Sequence, residues 1–148
     1  MTEQVVKETK VIPSWFKIVA IIALIWNLLG VVAFVGQMLI TPEMLSALTI
    51  AEQELYANTP LWATAAFAIA VFSGAFGSLF LLMRKSLATP LLTFSLVGIL
   101  VQNVHSFFIS NSIEVYGPGG MIMPVMIIFL AIYLIWLAKN AQANGWFS

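Results

Sequence analysis

Four apolar stretches, residues 18–40, 61–83, 91–109 and 121–138, contain no Asp, Glu, Lys or Arg, and the charges between them are sorted by sign. At about 1.5 Å per helical residue these stretches reach roughly 27 to 35 Å, against a bilayer hydrocarbon core of about 30 Å. Helices are the required form, because an open strand edge in lipid leaves backbone groups unpaired and no stretch alternates like a barrel strand. Lys7, Lys10 and Lys17 precede the first stretch, Arg84 and Lys85 fall in the short loop 84–90, and Lys139 follows the fourth. Loops 41–60 and 110–120 carry only Glu43, Glu52, Glu54 and Glu114. Because positive residues stay on the cytoplasmic side, this sorting predicts four spans with both termini in the cytoplasm and the acidic loops outside.

The chain is 61% hydrophobic and 8% charged, whereas soluble domains average about 25% charged residues, so lipid must solvate most of its surface. Its 148 residues make a single membrane domain, predicted as an all-α four-helix bundle. Zero net charge and the lack of a basic patch exclude nucleic acid as a partner, and the absence of cysteine excludes a disulfide framework. The first stretch is longer than a signal-peptide core and no small-x-small cleavage site precedes Thr41-Pro42, so an uncleaved span is expected.

Helix starts are written in repeated chemistry. Thr41-Pro42, Thr59-Pro60 and Thr89-Pro90 each place a capping hydroxyl before a proline suited to the first helical position. In loop 41–60, Met44, Leu48, Ala51 and Leu55 recur at helical spacing, predicting a short amphipathic helix. Thr49-x-x-Glu52 fits a capping box that divides it in two. Such a segment lies on the membrane surface, caps the bundle, or serves as a lid. Loop 110–120 ends in Gly117-Pro118-Gly119-Gly120 and reads as an irregular turn.

The candidate functional residues lie inside the spans. Asn27, Gly30, Phe34 and Gln37 make one stripe on the first; Ser95, Gly98, Gln102 and His105 repeat the spacing on the third. Polar side chains facing lipid are costly, so both stripes are expected to face the bundle interior, and each other in one arrangement. Asn27, Gln37, Gln102, Asn103 and His105 are thus the candidate substrate-binding residues. Ala66, Ala70, Gly74 and Ser78 form a small-xxx-small ladder on the second span, suited to close packing within the bundle or to a homo-oligomer contact. Met123, Met126, Leu130 and Tyr133 line one side of the fourth, as flexible packing rather than a copper site.

His105, the only histidine, falls short of a zinc centre or a bis-histidine haem, so no cofactor is expected. Glu114 is close enough in sequence to pair with it at the outer mouth. No nucleophile with a base, paired intramembrane carboxylates or phosphate loop can be assembled, so an enzyme is not expected. Residues 24–28 can be laid on residues 100–104, pairing Asn27 with Asn103, as in a weak parallel repeat.

Several strings, Trp15-Phe16-Lys17, Ile25-Trp26-Asn27-Leu28-Leu29-Gly30, Asn58-Thr59-Pro60 with Trp62-Ala63, His105-Ser106-Phe107-Phe108 and Glu114-Val115-Tyr116-Gly117-Pro118-Gly119-Gly120, are spread along most of the chain. On them the sequence resembles a family of small bacterial four-span proteins, some labelled as sugar transporters. The resemblance implies a bacterial inner-membrane location and a transport role, and assigns no residue a part in it. Two readings stand: a small-solute carrier or transport subunit using the polar stripes, or a structural or assembly protein whose intramembrane polar residues hold helices together.

Overall fold

The computed structural model describes residues 11–110 and 112–147, which puts Lys7 and Lys10 outside the described residues. Four long apolar helices form the bundle: α1 Ser14–Met38, α4 Leu61–Leu82, α5 Ala88–Val104 and α7 Ile122–Ala143. Short helices α2 (Pro42–Ser46) and α3 (Ile50–Ala57) join α1 to α4, and α6 (Ser112–Tyr116) with a 3₁₀ turn (Pro118–Met121) joins α5 to α7. No strand occurs among the described residues. The chain is therefore a polytopic membrane protein, an all-α bundle with four helices long and apolar enough to cross a bilayer.

The helices run beyond the hydrophobic limits read from sequence where chemistry permits. α1 begins four residues early because extended Pro13 opens it, and Phe16 is then fully buried against the far end of α7. Trp146 meets Phe16 and Trp15 edge-on, at 5.3 and 6.1 Å between centroids, so the last residues of the chain fasten to the first turn of the first span. The α4–α5 turn closes as a Schellman motif, with Lys85 N–H bonded to Phe80 O (2.8 Å) and Arg84 N–H to Leu81 O (3.1 Å). Arg84 occupies the left-handed position there (φ 61°), where glycine is usual. The strain retains a positive charge at that membrane end. Residues 11–17, 84–88 and 139–147 thus form the basic end of the bundle; α2, α3 and α6 form the acidic end.

Thr41 accepts the N–H of Met44 (3.2 Å), and Thr49 with Glu52 completes the capping box, so the two-helix loop forms as predicted. The break between α2 and α3 removes the single apolar face expected of them: Leu48 and Leu55 are half-buried, whereas Met44 and Ala51 are exposed. The other two threonine caps are not made. Thr59 turns back to donate to Leu55 O (2.6 Å), finishing α3 instead of starting α4. α5 begins ahead of Thr89, at Ala88, and leaves the Thr89 hydroxyl buried without a partner. Loop 110–120, expected to be irregular, folds locally into α6 and the 3₁₀ turn.

Packing is decided by side-chain size. α4 lies between α1 and α5, with Ala66, Ala70, Gly74 and Ser78 all buried. A Cβ on Gly98 would stand 2.8 Å from Ala66 O and 2.9 Å from Ala70 N, so the backbones of α4 and α5 are in contact. The small-residue ladder is used for packing within the chain, where α1 and α5 approach α4. The two polar stripes both pack against α4, whose small residues let α1 and α5 approach it closely, and they meet each other over Gly74, where Asn27 and Ser95 converge. The outward faces of α1 and α7, including Met123, Met126 and Tyr133, are exposed as a lipid-facing surface requires.

Candidate functional site

The polar residues divide by depth. In the middle of the bundle Asn27 Nδ2 donates to Ser78 Oγ (3.0 Å) and to Ala23 O (2.9 Å), while Ser95 Oγ donates to Ala70 O (2.6 Å). Asn27 Oδ1 and Ser95 Oγ converge over Gly74, where any Cβ would collide with the Asn27 amide. The residual space beside them, bounded also by α7, is about 30 Å³, on the order of one water molecule. The bonds from Asn27 to Ser78 and from Ser95 to Ala70 O join helices, and Asn27 does not reach the cavity at the acidic end.

That cavity, of about 180 Å³, lies at the acidic end. Gln37 reaches it from the last turn of α1, and Gln102 and His105 from the end of α5. Phe67 of α4 forms part of its wall and packs edge-on against Phe34 (5.3 Å), which in turn meets Phe72 (5.8 Å). Below this aromatic layer the helices close. Ala63 and Thr64 of α4 and Ser106 beyond α5 add to the wall, and the loops supply Tyr56 of α3, Thr59 before α4, and Ser110, Ser112 and Tyr116 around α6. The lid alternative for loop 41–60 therefore has a structural counterpart in α3, but not in α2.

His105 is buried and stands edge-on to Trp62 (5.4 Å, 86°), which fixes its ring at the cavity wall. It opens a π-helical turn, His105–Ile109, that ends α5. Such turns widen a helix by one residue and concentrate at functional sites. Glu114, expected beside His105, is exposed and does not line the cavity. Glu52 is the carboxylate near the wall. The Tyr116 hydroxyl is pushed above its ordinary pKa of 10.0, first by burial, then by Glu52, then by Tyr56. It stays protonated and available as a donor. The described lining contains no Asp, Glu, Lys or Arg; it offers amides, hydroxyls, one imidazole and aromatic faces. Among the described residues no three His or carboxylate side chains gather in a way that would hold a metal ion.

Of the five candidates, Gln37, Gln102 and His105 share the cavity, and Asn27 belongs to the helix contacts. Asn103 lies in neither; its amide nitrogen is buried without a hydrogen-bond partner. Asn27 and Asn103, paired in the sequence correspondence, sit in different surroundings, one amide being bonded and the other not. Sequence reasoning missed Tyr56, Tyr116 and Ser110, because loop residues carry no periodicity to orient them. No protein-family model matches the chain, and neither a curated protein nor a solved structure is detectably similar to it.

Proposed function

We propose that this membrane protein is a small-solute carrier or transport subunit that admits a small polar solute to the cavity at its acidic end. The observation that carries the reading is the meeting of Gln37, Gln102 and His105, from two separate spans, around a cavity of about 180 Å³ walled by loop hydroxyls. Pockets that orient small ligands combine apolar and aromatic surface with a few convergent polar groups. Gln37 and Gln102 each offer both donors and acceptors, and a lining without formal charge suits an uncharged solute. Charge sorting places the basic end in the cytoplasm and the cavity outside, and the family resemblance favours a bacterial inner membrane. The aromatic layer of Phe34 and Phe67 blocks the way inward, so passage requires α1 and α4 to move against each other, or an additional subunit on an outward face.

The competing reading, a non-catalytic structural or assembly protein, draws its support from Asn27, Ser78 and Ser95, whose bonds are interhelical. Purified protein in liposomes, assayed for uptake of radiolabelled neutral solutes, separates the two. Under the carrier reading, Gln102→Leu and His105→Leu each reduce uptake at least tenfold while thermal stability in detergent changes little. Absence of uptake for the whole solute panel, together with lowered stability of both variants, supports the structural alternative.

A further inference from the structure

One serine joins the π turn to the loop that completes the cavity. The Ser110 N–H bonds to His105 O (2.8 Å), five residues back, which defines the π register. In an α-helix that N–H goes to the carbonyl four residues back, Ser106 O. Here the Ser106 carbonyl is bonded by the Ser110 hydroxyl instead (3.0 Å). The same side chain therefore satisfies the acceptor that its own backbone has abandoned. Its oxygen also meets Ser112 Oγ (2.7 Å) and accepts from the Ser112 N–H (3.4 Å to the nitrogen), so it contacts the first residue of α6 as well.

We infer that Ser110 is the positioning residue of the cavity: its hydroxyl holds the wide register of residues 105–109, and through it the loop wall carrying Ser112 and Tyr116. Without that hydroxyl the half-buried Ser106 carbonyl loses the donor it has here, a loss that the α register makes good by restoring the Ser110 N–H to it. Returning to the α register removes one residue's worth of widening and turns the chain beyond the turn by about 100°. Ser112 and Tyr116 both line the cavity, so this rotation changes one wall while Gln37 and Gln102 stay in place. As a statement about the solute site it rests on the carrier reading, but the register can be measured whether or not a solute is found.

The chain has no cysteine, so spin labels can be confined to Leu61→Cys at the exposed start of α4 and Glu114→Cys on exposed α6. Electron–electron distances are measured on the full chain in nanodiscs. Ser110→Ala is expected to shift the distance distribution by several ångströms, and Ser110→Thr, which retains the hydroxyl, to return it to that of the parent. An unshifted alanine variant overturns the inference, as does a threonine variant shifted like alanine. If the alanine variant does not fold, the unmutated chain decides. NMR coupling across the hydrogen bond from Ser110 N–H to the His105 carbonyl supports the assignment, and coupling to the Ser106 carbonyl overturns it. Loss of uptake without a change of register would count against Ser110 and leave the carrier reading standing; a register change in a protein that transports nothing would do the reverse.

Discussion

Gly98→Ala tests the backbone-to-backbone contact of α4 and α5. Its added Cβ would stand 2.8 Å from Ala66 O, 2.9 Å from Ala70 N and 3.2 Å from Ala70 Cα. All three are backbone atoms of α4, so no side chain can rotate out of the way. α4 and α5 must separate by about half an ångström, and a gap of that size already forfeits a quarter or more of each dispersion contact along the seam. Overpacking of this kind costs about 1–3 kcal/mol. Separation also lengthens the 2.6 Å bond from Ser95 to Ala70 O one turn away, and an intramembrane hydrogen bond is worth about 0.6–2 kcal/mol. A loss of about 2–3 kcal/mol follows, close to a thirtyfold or greater shift in the folded fraction. Gly36→Ala is the control: a Cβ there meets nothing within 4 Å, and better helix propensity should stabilise by up to about 1 kcal/mol. Reversible unfolding in mixed micelles titrated with SDS measures both. Equal stability of the two variants would refute the claim that backbone contact between α4 and α5 organises the fold.

Three further outcomes are expected. Asn103→Leu should stabilise by about 1 kcal/mol, because it removes a buried donor that has no partner, whereas Asn27→Leu should destabilise by about 1–2 kcal/mol through loss of the bond to Ser78; SDS unfolding reads both, and the same sign for the two would be wrong. Tyr116, with its pKa raised in the folded protein, contributes fully below the ordinary value of 10.0 and loses that contribution as the pH climbs through the folded value. Tyr116→Phe should therefore lose less stability than the parent above about pH 10, and Glu52→Gln should bring the phenolate step of Tyr116 in ultraviolet absorbance, identified as the one absent from Tyr116→Phe, to lower pH. A reporter fused after Ser148 should be active only in the cytoplasm, as charge sorting requires; an extracytoplasmic signal would invert the assignment of the cavity.

Much of the scaffold was legible because lipid allows few solutions. Uninterrupted apolar length, helical period and the paired caps at Thr41 and Thr49 suffice for four spans and two loop helices, since unpaired backbone is intolerable in hydrocarbon. The faces of the polar stripes were legible too: Gln37, Gln102 and His105 do point inward. Their partners were not. Periodicity gives the direction of a side chain relative to its own axis and says nothing about which helix stands opposite; here α4 intervened because the residues at 66, 70, 74 and 78 are small enough to admit neighbours on both sides. Thr59 and Thr89 carried a valid cap signal that tertiary placement overrode. The π turn was beyond reach, because it depends on where the Ser110 hydroxyl finds its acceptor, a choice made between two registers that the same residues satisfy.

The same stripe of polar residues can serve both as adhesive and as a site, and the side chains of α4 decide which applies at each depth. Between Ala70 and Ser78 its interior face is small, so α1 and α5 close on it and their polar groups are spent on α4 itself: Asn27 on Ser78, Ser95 on Ala70 O. One turn nearer the acidic end, Phe67 interposes a ring that meets Phe34 of α1 at 5.3 Å, and beyond this point the helices no longer exclude space between them. Gln37, Gln102 and His105, spaced along their helices like the residues below, are thereby left with hydrogen-bonding capacity directed at a cavity. Identical periodicity thus has opposite consequences: where α4 packs tightly the polar groups bond to it, and where Phe67 projects toward α1 they line a cavity. A residue pattern on α1 and α5 alone could never separate the two roles; the sequence of α4, a helix with no candidate residue of its own, holds that information.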